Sequence, residues 1–178
     1  MSKNTLVRYH PLQVSLHWLT VVLIFAAFVL GKYTSGISNT EAGKLAPMGV
    51  HIALGIITLI VVVVRFVARM RLPKPASATT GVAFFDQIGK VVHYALYALM
   101  LLMAVSGVSL SMQAGLMPIV LSGSGASLPA DLFIFTPRIL HGLITPALVL
   151  LVLLHVGAAL YHQFILKDNL LARMGYEK

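Results

Sequence analysis

The sequence predicts an all-α integral membrane protein, a four-helix transmembrane bundle with both termini in the cytoplasm. Three observations predict it. Of 178 residues, 58% are hydrophobic and only 10% charged, and a mean hydropathy of +0.92 lies far outside the range of soluble domains. Four apolar runs, about 13–32, 48–68, 89–112 and 138–164, are each close to the roughly 20 residues that cross about 30 Å of hydrocarbon. The basic residues are also unevenly shared between the two sides. Lys3, Arg8, Arg65, Arg69, Arg71, Lys74, Lys90, Lys167, Arg173 and Lys178 fall on the side of the termini, against Lys32, Lys44 and Arg138 on the other. Cytoplasmic flanks carry the excess of Lys and Arg, so the termini are placed inside.

The first run lacks a small-residue cleavage site and contains His17 and Trp18, so it reads as a retained span rather than a signal peptide. The second carries His51 near its outer end and runs into the connector "RLPKPASATTG" (71–81), which its prolines make semi-extended. In the third, His93 lies near the cytoplasmic end beside Tyr94 and Tyr97, an interfacial aromatic belt. The stretch 114–137 mixes Gly and Ser with apolar residues and is expected to fold down on the membrane surface, where it could cap a site. The fourth, "RILHGLITPALVLLVLLHVGAALYHQF" (138–164), holds three histidines, with Pro146 expected to kink it between His141 and His155. The chain shows no internal repeat or low-complexity tract and reads as a single transmembrane domain, residues 1–178.

Composition also excludes functions. A net charge of +8 does not call for nucleic acid, because most of the cations flank spans, where anionic lipid headgroups account for them. With no cysteine, disulfides, thiolate-held iron–sulfur clusters and covalently attached c-type haem are ruled out. Any redox centre is held by nitrogen or oxygen.

Ionisable groups inside spans are by default functional candidates. At about 100° and 1.5 Å per residue, His141 and His155 lie about 40° apart around the helix and about 21 Å apart along it. His162, one heptad further, returns to the same face. His51 and His141 share a depth near the outer end, and His17 and His155 meet in the inner half. Two opposed imidazoles at one depth suit a six-coordinate haem iron in a bundle core, whereas zinc wants three or four ligands clustered together. Gly55, Gly142 and Gly157 near these histidines would let a flat macrocycle approach the backbone, although small residues also serve ordinary helix packing in membranes.

The segments "RYHPLQVSLHWLTVVLIFAAFVLG", "GVHIALGIITLIVVVVRFVAR", "VVHYALYALMLLMAVSG" and "LLHVGAALYHQFILKDNLLARM" resemble the bacterial cytochrome b561 family along nearly the whole chain. The resemblance implies four transmembrane helices and two non-covalent b-type haems in the bacterial inner membrane. His17 and His155 would then ligate the cytoplasmic-side iron and His51 and His141 the periplasmic-side iron. Members include a superoxide oxidase that passes electrons to ubiquinone. The expected function is therefore transfer of electrons from superoxide to ubiquinone. The alternative is a noncatalytic diheme subunit relaying electrons for a dehydrogenase or hydrogenase-like partner. A haem-free transporter or membrane anchor is a third reading, and it predicts a colourless preparation.

Of the remaining polar groups, His162 is placed to hydrogen-bond a quinone carbonyl and relay a proton, since an imidazole titrates near neutral pH. Arg138 near the outer pair, and Arg65, Arg69 or Arg8 near the inner one, are candidates for the haem propionates. His93 could compete with His17 as a ligand, and His10 is expected in solvent or beneath the bundle. Lys32, Lys44 and Arg138 could steer superoxide inward, offset in part by Glu41 and Asp131.

Overall fold

The computed structural model describes residues 8–175, and Lys3 and Lys178 of the basic set lie outside them. Four helices are long and apolar enough to cross a membrane: α1 (Pro11–Ser35), α2 (Leu45–Arg71), α3 (Ala83–Gln113) and α5 (Thr136–Tyr161), with a short α4 (Leu116–Val120) after the third. No strand occurs among the described residues.

Several helix ends have a local reason. At α1, Pro11 opens the first turn, where its missing N–H costs nothing, and His10 Nδ1 accepts from Leu12 N at 3.2 Å. His10 is exposed and caps the helix. The last turn of α2 carries Arg69 and Arg71 against the negative end of the helix dipole, and Pro73 follows. The start of α3 lies earlier than the apolar run suggests, at Ala83. There the Asp86 carboxylate accepts from Thr80 N (2.7 Å), Thr80 Oγ1 (2.9 Å) and Thr79 Oγ1 (2.6 Å). Within the spans, Thr20, Thr58, Ser111 and Thr145 donate to the carbonyl four residues back, so these hydroxyls are satisfied inside their own helices.

α1 packs along α2 and α3 along α5, and the two hairpins meet chiefly through α2 and α3. No comparably extensive backbone approach joins α5 to α1 or α2. Outward-facing side chains such as Phe25 (70% exposed) and Leu143 (66%) are apolar, as lipid contact requires. Buried Val62, Leu96, Tyr97, Met100 and Leu148 form an apolar layer at mid-bundle.

Parts of the 114–137 stretch pack onto the bundle. Leu116 and Leu128 are buried in one cluster with Met48, Ile52, Leu110 and Ala114. Asn39 Nδ2 donates to the Pro129 and Ala130 carbonyls, tying this cap to the α1–α2 connection. At the opposite end the first and last described segments are joined to each other. Tyr9 N donates to Arg173 O (3.1 Å) and Trp18 Nε1 to Met174 O (2.9 Å).

Candidate functional site

The histidines face the gap between α5 and the α1–α2 hairpin. His51 on α2 and His141 on α5 have ring centres 6.2 Å apart, and His17 on α1 and His155 on α5 are 6.3 Å apart. One metal ion bonded to two imidazole nitrogens, each at about 2 Å, separates the ring centres by about 6 Å. Both pairs have that spacing. His93 on α3 lies only 5.0 Å from His155, too close for an ion between the two rings.

The contacts around each ring set its proton. His51 Nδ1–H donates to Ala27 O at 2.9 Å, and His141 Nδ1–H donates to Met103 O at 3.1 Å with Ser106 Oγ 3.0 Å away. With the proton on Nδ1, each ring keeps the Nε2 lone pair for a metal. His93 Nδ1–H donates to Gly89 O in its own helix at 2.7 Å. At the other pair, Arg65 Nη2 lies 2.7 Å from His17 Nδ1. A guanidinium only donates, so this Nδ1 accepts. Arg65 also lies 5.3 Å from the Tyr97 ring centre, and with Arg69, Tyr9, Gln13, Tyr97 and Met174 it lines a small cavity. Buried Gln13 presents an Oε1 without a hydrogen-bond partner.

The glycines that press on the histidines belong to neighbouring helices. A Cβ at Gly31 of α1 would stand 2.9 Å from His51 Cε1, and one at Gly107 of α3 would stand 3.2 Å from His141 Cε1. At Gly55 and Gly157 a Cβ would meet no atom within 4 Å, and at Gly142 only Arg138 Nη1, at 3.3 Å. Sequence reasoning passed over Gly31, Gly107 and Ser106, because a contact between helices depends on rotations that the pattern of one helix does not record.

The remaining predicted residues separate. Arg138, near Gly142 at the His51–His141 end, lies with its guanidinium 4.5 Å from the Phe133 ring centre. Lys44 leaves the steering set: it is 6% exposed and donates Nζ to Ile37 O (2.6 Å) and Asn39 Oδ1 (2.7 Å), so it holds a loop. His162 lies beyond the end of α5, buried, with Nδ1 2.6 Å from Asp168 Oδ2. No cluster of three or more His, Cys, Asp or Glu that could hold a metal occurs among the described residues.

A membrane bundle with imidazoles opposed in pairs inside it defines a class, the membrane cytochromes b, which carry electrons on b-type haem. The sequence profile of the prokaryotic cytochrome b561 family matches residues 8–176, and the chain belongs to that family. It is 30% identical to a cytochrome b562 of Cereibacter sphaeroides, over 93% of this chain and 94% of the relative. It is 27% identical to cytochrome b561 homolog 2 of Escherichia coli (96% and 93%). To a Yersinia pestis protein named probable superoxide oxidase CybB it is 26% identical (94% and 95%). The residues present fit the haem that membership implies: imidazoles spaced for one iron, Nε2 lone pairs left by the Nδ1 contacts at His51 and His141, and glycines where the helices close on those two rings.

Proposed function

We propose that the chain is a two-haem electron carrier of the bacterial inner membrane, taking electrons from superoxide on the periplasmic side and delivering them to ubiquinone on the cytoplasmic side. The observation that carries this reading is the pair of 6.2 and 6.3 Å imidazole spacings, set 14 residues apart on α5, about 21 Å along the helix axis. His51 and His141 would hold the periplasmic-side haem, and His17 and His155 the cytoplasmic-side one. The excess of Lys and Arg at the end of the bundle where the chain's two ends meet supports a cytoplasmic placement of both termini. The name of the Yersinia relative supports superoxide as donor.

When bound, each haem supplies a one-electron iron couple. The chain's own residues do the rest. With Nε2 as the haem ligand, His17 would carry its proton on Nδ1 and would not accept from Arg65. The guanidinium would then be free for a carboxylate, and with Arg69 and Tyr97 beside it the cavity would suit a haem propionate. Arg138 is the corresponding cation at the outer pair. The overall reaction balances as two superoxide ions giving two dioxygen and two electrons, and one quinone taking two electrons and two protons to become quinol. His162, buried where α5 ends, is the residue proposed to meet the quinone oxygen.

The test is a pyridine haemochrome assay with a reduced-minus-oxidised spectrum on the purified protein, repeated for His51→Ala and His155→Ala. The expected result is two haems per chain and the loss of one in each variant. A colourless protein, or a haem content indifferent to His51, would refute the pairing. Adding superoxide and ubiquinone to the purified protein then separates an oxidase, which turns over alone, from a subunit that waits for a redox protein partner.

A further inference from the structure

The backbone does something unusual where α5 ends. His162–Leu166 forms a single π-turn, and Lys167 and Asn169 follow, both with φ of 55°. Isolated π-turns are frequent at functional sites. Lys167 takes a left-handed conformation seldom adopted by long side chains, while Asn169 is of a type that takes it readily. The result of this path is the placement of Asp168. Its N–H donates to His162 O (3.3 Å), its Oδ1 accepts from Leu170 N (3.0 Å), and its Oδ2 lies 2.6 Å from His162 Nδ1. This is the one contact between a carboxylate and a basic side chain within 4 Å among the described residues. His162 is 9% exposed, between Tyr161 at 48% and Phe164 at 65%.

We propose that Asp168 is the positioning residue of a proton-delivering pair, holding His162 Nδ1–H so that Nε2 faces a quinone oxygen. The inference rests on the quinone reading above and names the residue through which His162 acts. A carboxylate on Nδ1 fixes the ring's orientation and stabilises the imidazolium without itself taking the proton. In each transfer the Nε2–H bond of the imidazolium breaks as an O–H bond forms on the reduced quinone oxygen. Two such transfers accompany the two electrons, and His162 is reprotonated from water each time. Asp168 begins and ends as a carboxylate. The turn thus serves the chemistry: a continued α-helix would carry residue 168 past the ring rather than back to it.

The experiment uses the haem-loaded protein with superoxide as donor and a short-chain ubiquinone as acceptor, comparing wild type with Asp168→Asn, Asp168→Glu and His162→Gln. The expected result for Asp168→Asn is an unchanged haem spectrum, a quinone reduction rate about 10-fold lower or less, little change in KM and a larger solvent deuterium isotope effect. Asp168→Glu, which restores the charge, is expected to recover most of the rate. Wild-type turnover together with an indifferent Asp168→Asn overturns the pair while leaving the quinone reading in place. A haem-loaded wild type that leaves quinone untouched overturns that reading and the pair with it. Should Asp168→Asn lose its haem, Asp168→Glu and His162→Gln carry the test. A slowed His162→Gln beside an active Asp168→Glu supports the pair, and equal rates overturn it.

Discussion

At the scale of the residue, the distances give a physical ground for preferring His17 to His93, a preference that the sequence supported only by depth and family resemblance. His17 and His93 both reach the level of His155, but only the 6.3 Å separation to His17 leaves room for an ion, whereas 5.0 Å to His93 does not. His93 also spends its Nδ1–H on the carbonyl of Gly89, within its own helix. His93→Ala is therefore expected to retain two haems, and His17→Ala to lose the one at the termini end. Haem-to-protein stoichiometry of the two variants checks this, and loss of haem from His93→Ala alone would exchange the roles. The pairing by depth was legible from sequence because a helix fixes rise and angle per residue. The reading of the sequence preferred His17 to His93, but both lie at a similar depth, and the distances across the gap that separate them are not written in either helix.

At the scale of the element, the connections illustrate the same division. Hydropathy located the four spans to within a few residues at most ends, yet α3 begins at Ala83, where Thr79 and Thr80 of the preceding turn donate to Asp86 in the first turn, a polar contact that an apolar window does not register. Lys44 is the sharper case. A cation in an outer connection reads as a surface charge, and the fold instead buries it against a carbonyl and an amide oxygen. Lys44→Met keeps the length and removes the donor, leaving Ile37 O and Asn39 Oδ1 without it. A loss of about 1–3 kcal/mol follows from two orphaned acceptors, measurable as a lower Tm of the detergent-solubilised protein. Because Asn39 also holds the Pro129–Ala130 backbone, the same variant is expected to loosen the cap over the His51–His141 end, read as faster proteolysis within residues 121–135. The π-turn at His162 was equally illegible: it depends on a return of the chain to its own preceding turn, which periodicity, a measure of regular helix, cannot express.

At the scale of the whole molecule, the arrangement separates two sites with an apolar layer and joins them through one helix. Val62, Leu96, Tyr97, Met100 and Leu148 are buried in one apolar cluster, with Leu148 halfway along α5 between His141 and His155. Such a layer favours passage of electrons over passage of ions, whose desolvation in hydrocarbon is costly. The two ends are therefore expected to have separable chemistry. With His51→Ala, superoxide is expected to leave the redox centre at the termini end oxidised, while added ubiquinol still reduces it at the wild-type rate. With His155→Ala, superoxide is expected to reduce the remaining centre normally, but quinone reduction is lost. Stopped-flow spectra of the two variants with each donor measure all four cases. Full superoxide-to-quinone turnover in either variant would mean that one site suffices, and the span of about 21 Å between the pairs would need another purpose.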